Sequence, residues 1–338
     1  MSVGVAASAE VHERRAAGHP VLAMIARRLG LGVLTLVAVS MLVFLATQVL
    51  PGNAAYAVLQ NTATTARLHA LEARLHLDQP VTAQYWHWIS GVLSGDLGRS
   101  LTGTQSVGSL VSSRAGNSAV LVAAAGVIGT IIGVLLGVYA AARRDRWIDH
   151  ALSTVALALA SMPDFVIAVL LVILFSTVVL QVLPAVSVIP PGVSPLDRPK
   201  LLVLPVATLV LVIVPYIFRM TRAAMIEALS SDYVEMADLN GFSRRRVLFV
   251  HALRNAVPAA VQVVGLNLLY LAGGIVVVEY VFNYPGLGQG LVQAVSDRDI
   301  PTIQFIVLLL AAFYVVVNIA TDVLALLASP RRRLPRSG

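Results

Sequence analysis

Three carboxylates stand within or beside long apolar stretches of this chain: Asp164, Glu279 and Asp322. An ionisable side chain in that setting is a functional candidate, as an ion ligand, a proton carrier or a substrate contact. Glu279 and Asp322 fall at the ends of their stretches, where capping or snorkelling would explain them equally well. The three form no series of carboxylates along which a proton could be handed. Other reactive residue types are thin or missing. The single lysine, Lys200, lies between Pro199 and Leu201 rather than behind a glycine-rich loop, so the chain has no Walker A motif to hold nucleotide phosphates. Its seven histidines are scattered, with no H-E-x-x-H helix, and there is no Gly-x-Ser-x-Gly turn. With no cysteine, disulfides, thiolate metal sites and thiol catalysis are excluded. No catalytic constellation emerges, which argues against a membrane-embedded enzyme.

The elements that must hold these residues are very hydrophobic. Of the 338 residues, 58% are hydrophobic and 12% charged, and the mean hydropathy is +0.83. An ordinary soluble domain carries about 25% charged residues, so this chain lacks the polar surface to coat soluble domains of its length. Six uncharged windows are long enough to cross about 30 Å of hydrocarbon as helices: Leu29–Leu50, Gly116–Ala142, Phe165–Leu183, Leu201–Phe218, Ala256–Val278 and Ile300–Thr321. Their unalternated runs predict helices rather than barrel strands. The first window, at 22 residues, is longer than a signal-peptide core and reads as an uncleaved span.

Net charge is +7, and all but one of the 24 basic residues are arginine. With both termini in the cytoplasm, 17 basic residues fall on inner segments, including Arg27, Arg28, Arg143, Arg144, Arg146, Arg219 and Arg222. Seven fall outside: Arg67, Arg74, Arg99, Arg114, Arg198, Lys200 and Arg298. The positive-inside rule favours this orientation. The basic excess is then topogenic, and no nucleic-acid partner is expected. The chain divides into a cytoplasmic tail (1–28), a first span (29–50), an extracytoplasmic segment with short helices (51–115), a core of five further spans (116–330) and a basic cytoplasmic tail (331–338). The core includes an inner loop (219–255).

Local patterns add detail. Gly129, Gly133 and Gly137 make a small-residue stripe that lets another helix approach closely. Pro163 breaks the third apolar region, leaving its first half, Ala151–Pro163, to lie along the inner interface or to begin a tilted helix. In the outer segment, Leu68, Leu71 and Leu75 mark an amphipathic helix over 62–76, and Tyr85, Trp86 and Trp88 an interfacial one. After span five, Asn283-Tyr284-Pro285-Gly286-Leu287-Gly288 reads as a structured turn that Glu279 could hold through its amides. In the inner loop, Gly241 stands where a helix C-cap belongs and Ser243 suits the next N-cap, so two short helices meet there.

The same loop carries a resemblance. Glu235-Met236-Ala237, three residues and Gly241 resembles the "EAA…G" loop of ABC importer permeases. Val247-Leu-Phe-Val-His251-Ala-Leu253-Arg254-Asn255-Ala256 is similar to the peptide-importer branch of that family, as are Glu279-Tyr-Val-Phe282-Asn-Tyr-Pro285-Gly286-Leu-Gly288 and Asp297-Arg298-Asp299-Ile-Pro301. Asn318, Asp322 and Pro330-Arg331 also fit. Upstream, Leu50-Pro51-Gly52, Leu77-Asp78-Gln79-Pro80 and Gly95-Asp96-Leu97-Gly98-Arg99-Ser100 resemble the B-type permeases of dipeptide and oligopeptide operons. Any one motif is weak, but their number and order over residues 20–335 are specific. Asn53 stands where many relatives have aspartate, and Asp238 where many are basic.

The resemblance implies an all-α polytopic membrane protein with the type I ABC importer permease fold, six transmembrane helices and both termini cytoplasmic, in a bacterial cytoplasmic membrane. It implies a peptide importer in which this chain pairs with a homologous second permease, two ABC ATPase subunits and an extracytoplasmic peptide-binding protein. ATP and magnesium would be bound by the ATPases, with no cofactor or metal on this chain. The inner loop would be the coupling segment, with Tyr233, Glu235, Met236, Ala237, Gly241, Arg244, Arg245 and Arg246 as its candidates; Tyr233, Val234 and Met236 would offer apolar contact. Glu279, Pro285, Gly286, Gly288, Asp297 and Asp322 are candidates for structural or gating roles. The same architecture serves nickel chelates, haem, glutathione and opines, which stand as alternative cargoes. An ion-coupled secondary transporter is the rival of a different class, opposed by the missing carboxylate relay and by the inner loop.

Overall fold

The computed structural model describes residues 20–49, 79–102, 105–190, 192–243 and 246–328; among them the regular structure is helical, with no β-strand. The expected amphipathic segment 62–76, the Leu50-Pro51-Gly52 turn, Arg244, Arg245 and both tails lie outside these residues. The helices are α1 (Pro20–Val49), α2 (Val81–Ser94), α3 (Val107–Ala142), α4 (Trp147–Ala160), α5 (Asp164–Val172), α6 (Pro199–Leu229), α7 (Asp232–Leu239), α8 (Leu253–Val281), α9 (Leu287–Ser296) and α10 (Ile300–Ala328). A π turn (Ile173–Thr177) extends α5, and another (Val247–Ala252) leads into α8.

Four helices (α1, α3, α6 and α10) are each long and apolar enough to cross a membrane, and two bent pairs bring the number to as many as six. One pair is α4 with α5 and its π turn, bent by 103°. The break falls at Ser161-Met162-Pro163, where proline rejects a continuing helix. The other is α8 itself, whose halves Gln262–Leu271 and Gly273–Val281 meet at 45° beside Gly273-Gly274.

The centre is the parallel packing of α3 on α6, with α8 alongside. It is set by the glycine stripe. A Cβ on Gly129 would lie 2.5 Å from Ile213 Cδ1, one on Gly133 2.7 Å from Ile217 Cβ, and one on Gly137 2.8 Å from Thr221 Cβ. Three side-chain-free positions therefore admit Ile213, Ile217 and Thr221 of α6 in successive turns. Around them Leu121, Leu209, Leu271, Ile275 and Phe282 complete the main core. The bundle has two distinct ends. α9 and the starts of α3 and α10 share one, through Val107, Val111, Leu287 and Ile306. The last turns of α3 and α6 share the other with α7, through Val138, Met225, Val234 and Ala237.

Three expected spans are corrected. The second helix starts nine residues before Gly116, capped by the Ser106 hydroxyl, which accepts from Ser109 N at 3.3 Å. Arg114, counted with the outer segment, is therefore on this helix. The third span ends at Thr177 rather than Leu183; Pro184 disfavours helix at the residue before it, and Val182 N and Leu183 N both fold back onto Phe175 O. The fourth continues past Phe218 to Leu229, so Arg219 and Arg222 are helical.

Candidate functional site

At the α7 end, α6 turns through Ser230 and Ser231 into α7, eight residues long. α7 is amphipathic at helical spacing. Val234 (1% exposed) and Ala237 face the bundle, against Met225, Ala228 and Val247. Asp232, Glu235, Met236 (58% exposed) and Leu239 (76% exposed) face away. Of the three apolar contacts expected from sequence, Val234 is buried against the bundle, Tyr233 is half-buried against the same cluster and Met236 is exposed. The outward apolar residues are Met236, Leu239 and Phe242, and the sequence reading missed the latter two although both sit at α-helical or turn spacing from Met236. The helix ends in a left-handed turn: Gly241 has φ +74°, Asn240 N donates to Met236 O at 3.0 Å, and Phe242 N to Ala237 O at 3.3 Å. A Cβ at Gly241 would meet nothing within 4 Å, so glycine is required by backbone conformation and not by space. Beyond the turn, the Arg246 guanidinium lies over the Phe242 ring at 4.8 Å.

Beside this segment, the Asp149 carboxylate of α4 accepts two hydrogen bonds from Arg222, from Nε at 2.6 Å and Nη2 at 2.7 Å, and a third from Asp145 N at 3.1 Å. Asp149 is 1% exposed. A bidentate guanidinium–carboxylate pair fixes orientation as well as distance, so α4 is clamped to the last turns of the helix that carries α7. Sequence counting treated Arg222 as a topogenic charge and did not single out Asp149; the pair is separated by 73 residues, and no local spacing announces it.

At the opposite end, Glu279 is fully buried. Its Oε2 accepts from Gly288 N at 2.6 Å and Gln289 N at 3.2 Å, and its Oε1 accepts from the Ser118 hydroxyl of α3 at 2.5 Å. Ser118 Oγ in turn accepts from Leu287 N at 2.8 Å. The carboxylate therefore caps the first turn of α9, whose free N–H groups and positive dipole end suit it. Gly286 and Gly288 are close-approach positions. Side chains there would run into Glu279 and, at 288, into Val276 as well. The left-handed residue of the turn is Asn283, at φ +49°, not either glycine. Pro285 presents its carbonyl to Asn117 Nδ2 at 2.8 Å, and Arg114 donates to Gly286 O at 3.2 Å and to Gln289 Oε1 at 2.5 Å.

The remaining candidates separate. Asp297 follows α9 and receives Gln293 Nε2 at 3.2 Å. Asp299, quoted from sequence only inside a motif, is the buried member of that pair: it accepts from the Ser100 hydroxyl at 2.5 Å, Leu101 N at 3.1 Å and the Thr302 hydroxyl at 2.7 Å. It pins the Gly95–Ser100 motif to the start of α10. Asp322 pairs with Arg28 at 2.9 Å, joining α10 to α1. Among the described residues no group of histidine and carboxylate side chains could hold a metal ion.

Comparison with known proteins agrees with this geometry. The family described as binding-protein-dependent transport system inner membrane component matches residues 133–334, and its N-terminal membrane component matches residues 21–124. A Brucella abortus (strain 2308) protein named for a peptide transport system permease is 36% identical over 311 residues, covering 92% of this chain and 99% of the relative. The glutathione transport system permease protein GsiC of Escherichia coli (strain K12) is 37% identical over 310 residues, covering 92% and 98%. In fold, the chain is similar to a subunit of the MetNI methionine ABC transporter in an inward-facing conformation, with a TM-score of 0.50, 17% identity and coverage of 63% of this chain and 93% of that one. The chain belongs to the binding-protein-dependent transport system inner membrane component family, as a multi-pass permease component of a bacterial ABC importer.

Proposed function

We propose that this permease is one of two membrane subunits of a peptide importer, coupled through α7 to ATP hydrolysis on separate ATPase subunits and supplied by an extracytoplasmic peptide-binding protein. The orientation follows the arginines, with α7 in the cytoplasm and the Glu279 turn outside. The cargo class follows the relatives, one named for peptide transport and one for glutathione, itself a small peptide. The homologous second permease completes the path, and nucleotide and magnesium belong to the ATPases.

The observation that carries the coupling role is the two-faced α7. Its inner face is used by Val234 and Ala237, while Met236, Leu239 and Phe242 stay exposed. Apolar anchors on a short helix are what a groove on a partner would grip. Because α6 runs into α7 after a two-residue turn, displacement of α7 moves α6, and the Asp149–Arg222 clamp carries α4 with it.

The test is co-purification of the ATPase with Gly241→Val permease at equal membrane levels. Holding a β-branched residue left-handed costs roughly 1–2 kcal/mol, a loss of about tenfold in docking. Peptide uptake should fall with co-purification while receptor binding persists. Normal co-purification together with normal uptake would reduce α7 to a connector.

A further inference from the structure

Asp164 takes part in neither end's network. It opens α5 after the Pro163 break, half-buried, and accepts a hydrogen bond from the Tyr270 hydroxyl of α8 at 3.1 Å. Gly274 makes room for it: a Cβ there would lie 2.8 Å from Asp164 Oδ2. Tyr270 packs on Tyr216 of α6, ring centroids 6.1 Å apart. Tyr216 in turn lines a cleft of about 610 Å³ between α4 and α6, with Arg219 and Met220 one turn further on. Ligand pockets of roughly 300–1,000 Å³ hold small molecules.

This cluster lies deep in the bundle and is open. Tyr270 is roughly 16 Å along α8 from its Val281 end, and Tyr216 roughly 20 Å along α6 from its Leu229 end. Leu266, Tyr270, Gly273, Val277 and Tyr280 repeat at three- and four-residue spacing as the exposed stripe of α8, and a Cβ on Gly273 would meet nothing within 4 Å. By contrast, the exposed faces of α1 and mid-α3 are aliphatic, with Leu34, Leu42 and Leu45 on the first and Ile128, Ile131 and Leu135 on the second. Aliphatic faces suit lipid. A face bearing a carboxylate, two phenols and an arginine at mid-depth suits water.

We propose that Asp164, flanked by Tyr270 and Tyr216, is a cation subsite in the wall of the translocation path that receives the α-ammonium group of a passing peptide. The inference rests on the peptide-permease reading. A carboxylate supplies the opposite charge, and two aromatic faces stabilise a partly desolvated ammonium. Arg219 is exposed on the same side of α6, and among the described residues no acid pairs with it. The wall therefore carries both signs, as a zwitterion requires.

Two measurements on the assembled transporter test this. The chain has no cysteine, so Gly273→Cys gives this subunit its one thiol, read against the same assembly with the cysteine-free subunit, for methanethiosulfonates carrying trimethylammonium or sulfonate. Relative to free cysteine, the cationic reagent should be favoured by about tenfold, and Asp164→Asn in the same background should erase that preference. An unreactive thiol, or a preference indifferent to Asp164→Asn, overturns the subsite. In the second, uptake of radiolabelled trialanine and glutathione is measured in proteoliposomes containing receptor and ATP. Asp164→Asn keeps an oxygen for the Tyr270 hydroxyl but removes the charge, so the maximal rate should fall about tenfold with receptor affinity and subunit abundance unchanged, and Asp164→Glu should recover much of it. Uptake by wild type and Asp164→Asn alike overturns the subsite alone. Uptake of neither probe by wild type overturns the peptide reading and the subsite with it.

Discussion

At the α9 end of the bundle, one buried carboxylate, Glu279, receives hydrogen bonds from α3 and from the first turn of α9, while Arg114 and Asn117 bind the carbonyls of the turn before it. At the other end, α7 rests on the bundle through Val234 and Ala237 and leaves Met236 and Leu239 exposed. The outer turn cannot be displaced without breaking several bonds among groups that have no water to replace them. α7 is held by a small apolar contact, much of it with Met225 and Ala228 of α6, so the two can shift together. In the orientation proposed above, this asymmetry places a turn of fixed shape where cargo arrives and a handle joined to α6 where force arrives.

The largest effect should follow from Glu279→Ala. It strands the Ser118 hydroxyl and the Gly288 and Gln289 amides, each worth about 1–3 kcal/mol when left buried and unpaired. Membrane abundance and the melting temperature of the purified complex should both drop sharply. Glu279→Gln should be intermediate, since its oxygen can still face the two amides while Ser118 accepts from its NH2. An alanine variant as abundant and as heat-stable as wild type would show that the outer turn is held by packing alone.

Asp149→Ala should come next. It leaves Arg222, 28% exposed at its side chain, without a counter-charge. Removal of one partner from a buried pair costs about 3–5 kcal/mol, and partial exposure of Arg222 should bring this nearer 1–3. Pairing Asp149→Leu with Arg222→Met should restore stability without restoring coupled ATP hydrolysis. Recovery of both would make the clamp a stability device only.

The sequence made the bundle legible because its strongest signals, long uncharged windows and a four-residue glycine stripe, report directly on lipid contact and helix approach. Gly129, Gly133 and Gly137 sit against α6 as that spacing predicts. The turn after α8 was legible too, as Pro285, Gly286 and Gly288 have conformational or steric reasons that survive in one dimension. What could not be read was pairing across long separations. Asp299 meets Ser100 across 199 positions and Asp149 meets Arg222 across 73. Span ends also slipped where polar residues found partners inside the bundle: Arg114, bonded to Gly286 and Gln289, belongs to α3 although charge counting placed it with the outer segment. On α7, hydrophobicity identified apolar residues but not their side. Val234 and Met236 are alike in composition and opposite in direction, because two residues of α-helix turn the side chain through roughly 200°.

The smallest effect belongs to Arg246→Glu. The guanidinium lies over Phe242 at the outer edge of the inner segment, exposed to water, so it tunes the approach of a partner and leaves the fold alone. Charge reversal removes a cation–π contact worth about 0.5–1 kcal/mol at an exposed site and adds repulsion toward any acidic rim on the ATPase. Co-purification of the ATPase should fall about two- to fourfold in low salt. The deficit should shrink as ionic strength rises, since screening at 0.15 M already limits exposed charges to about 8 Å. Heat stability and abundance should match wild type, in contrast to Glu279→Ala and Asp149→Ala. A loss of abundance with Arg246→Glu would place it among the residues that hold the bundle together, and the inner segment would then be a second anchored end.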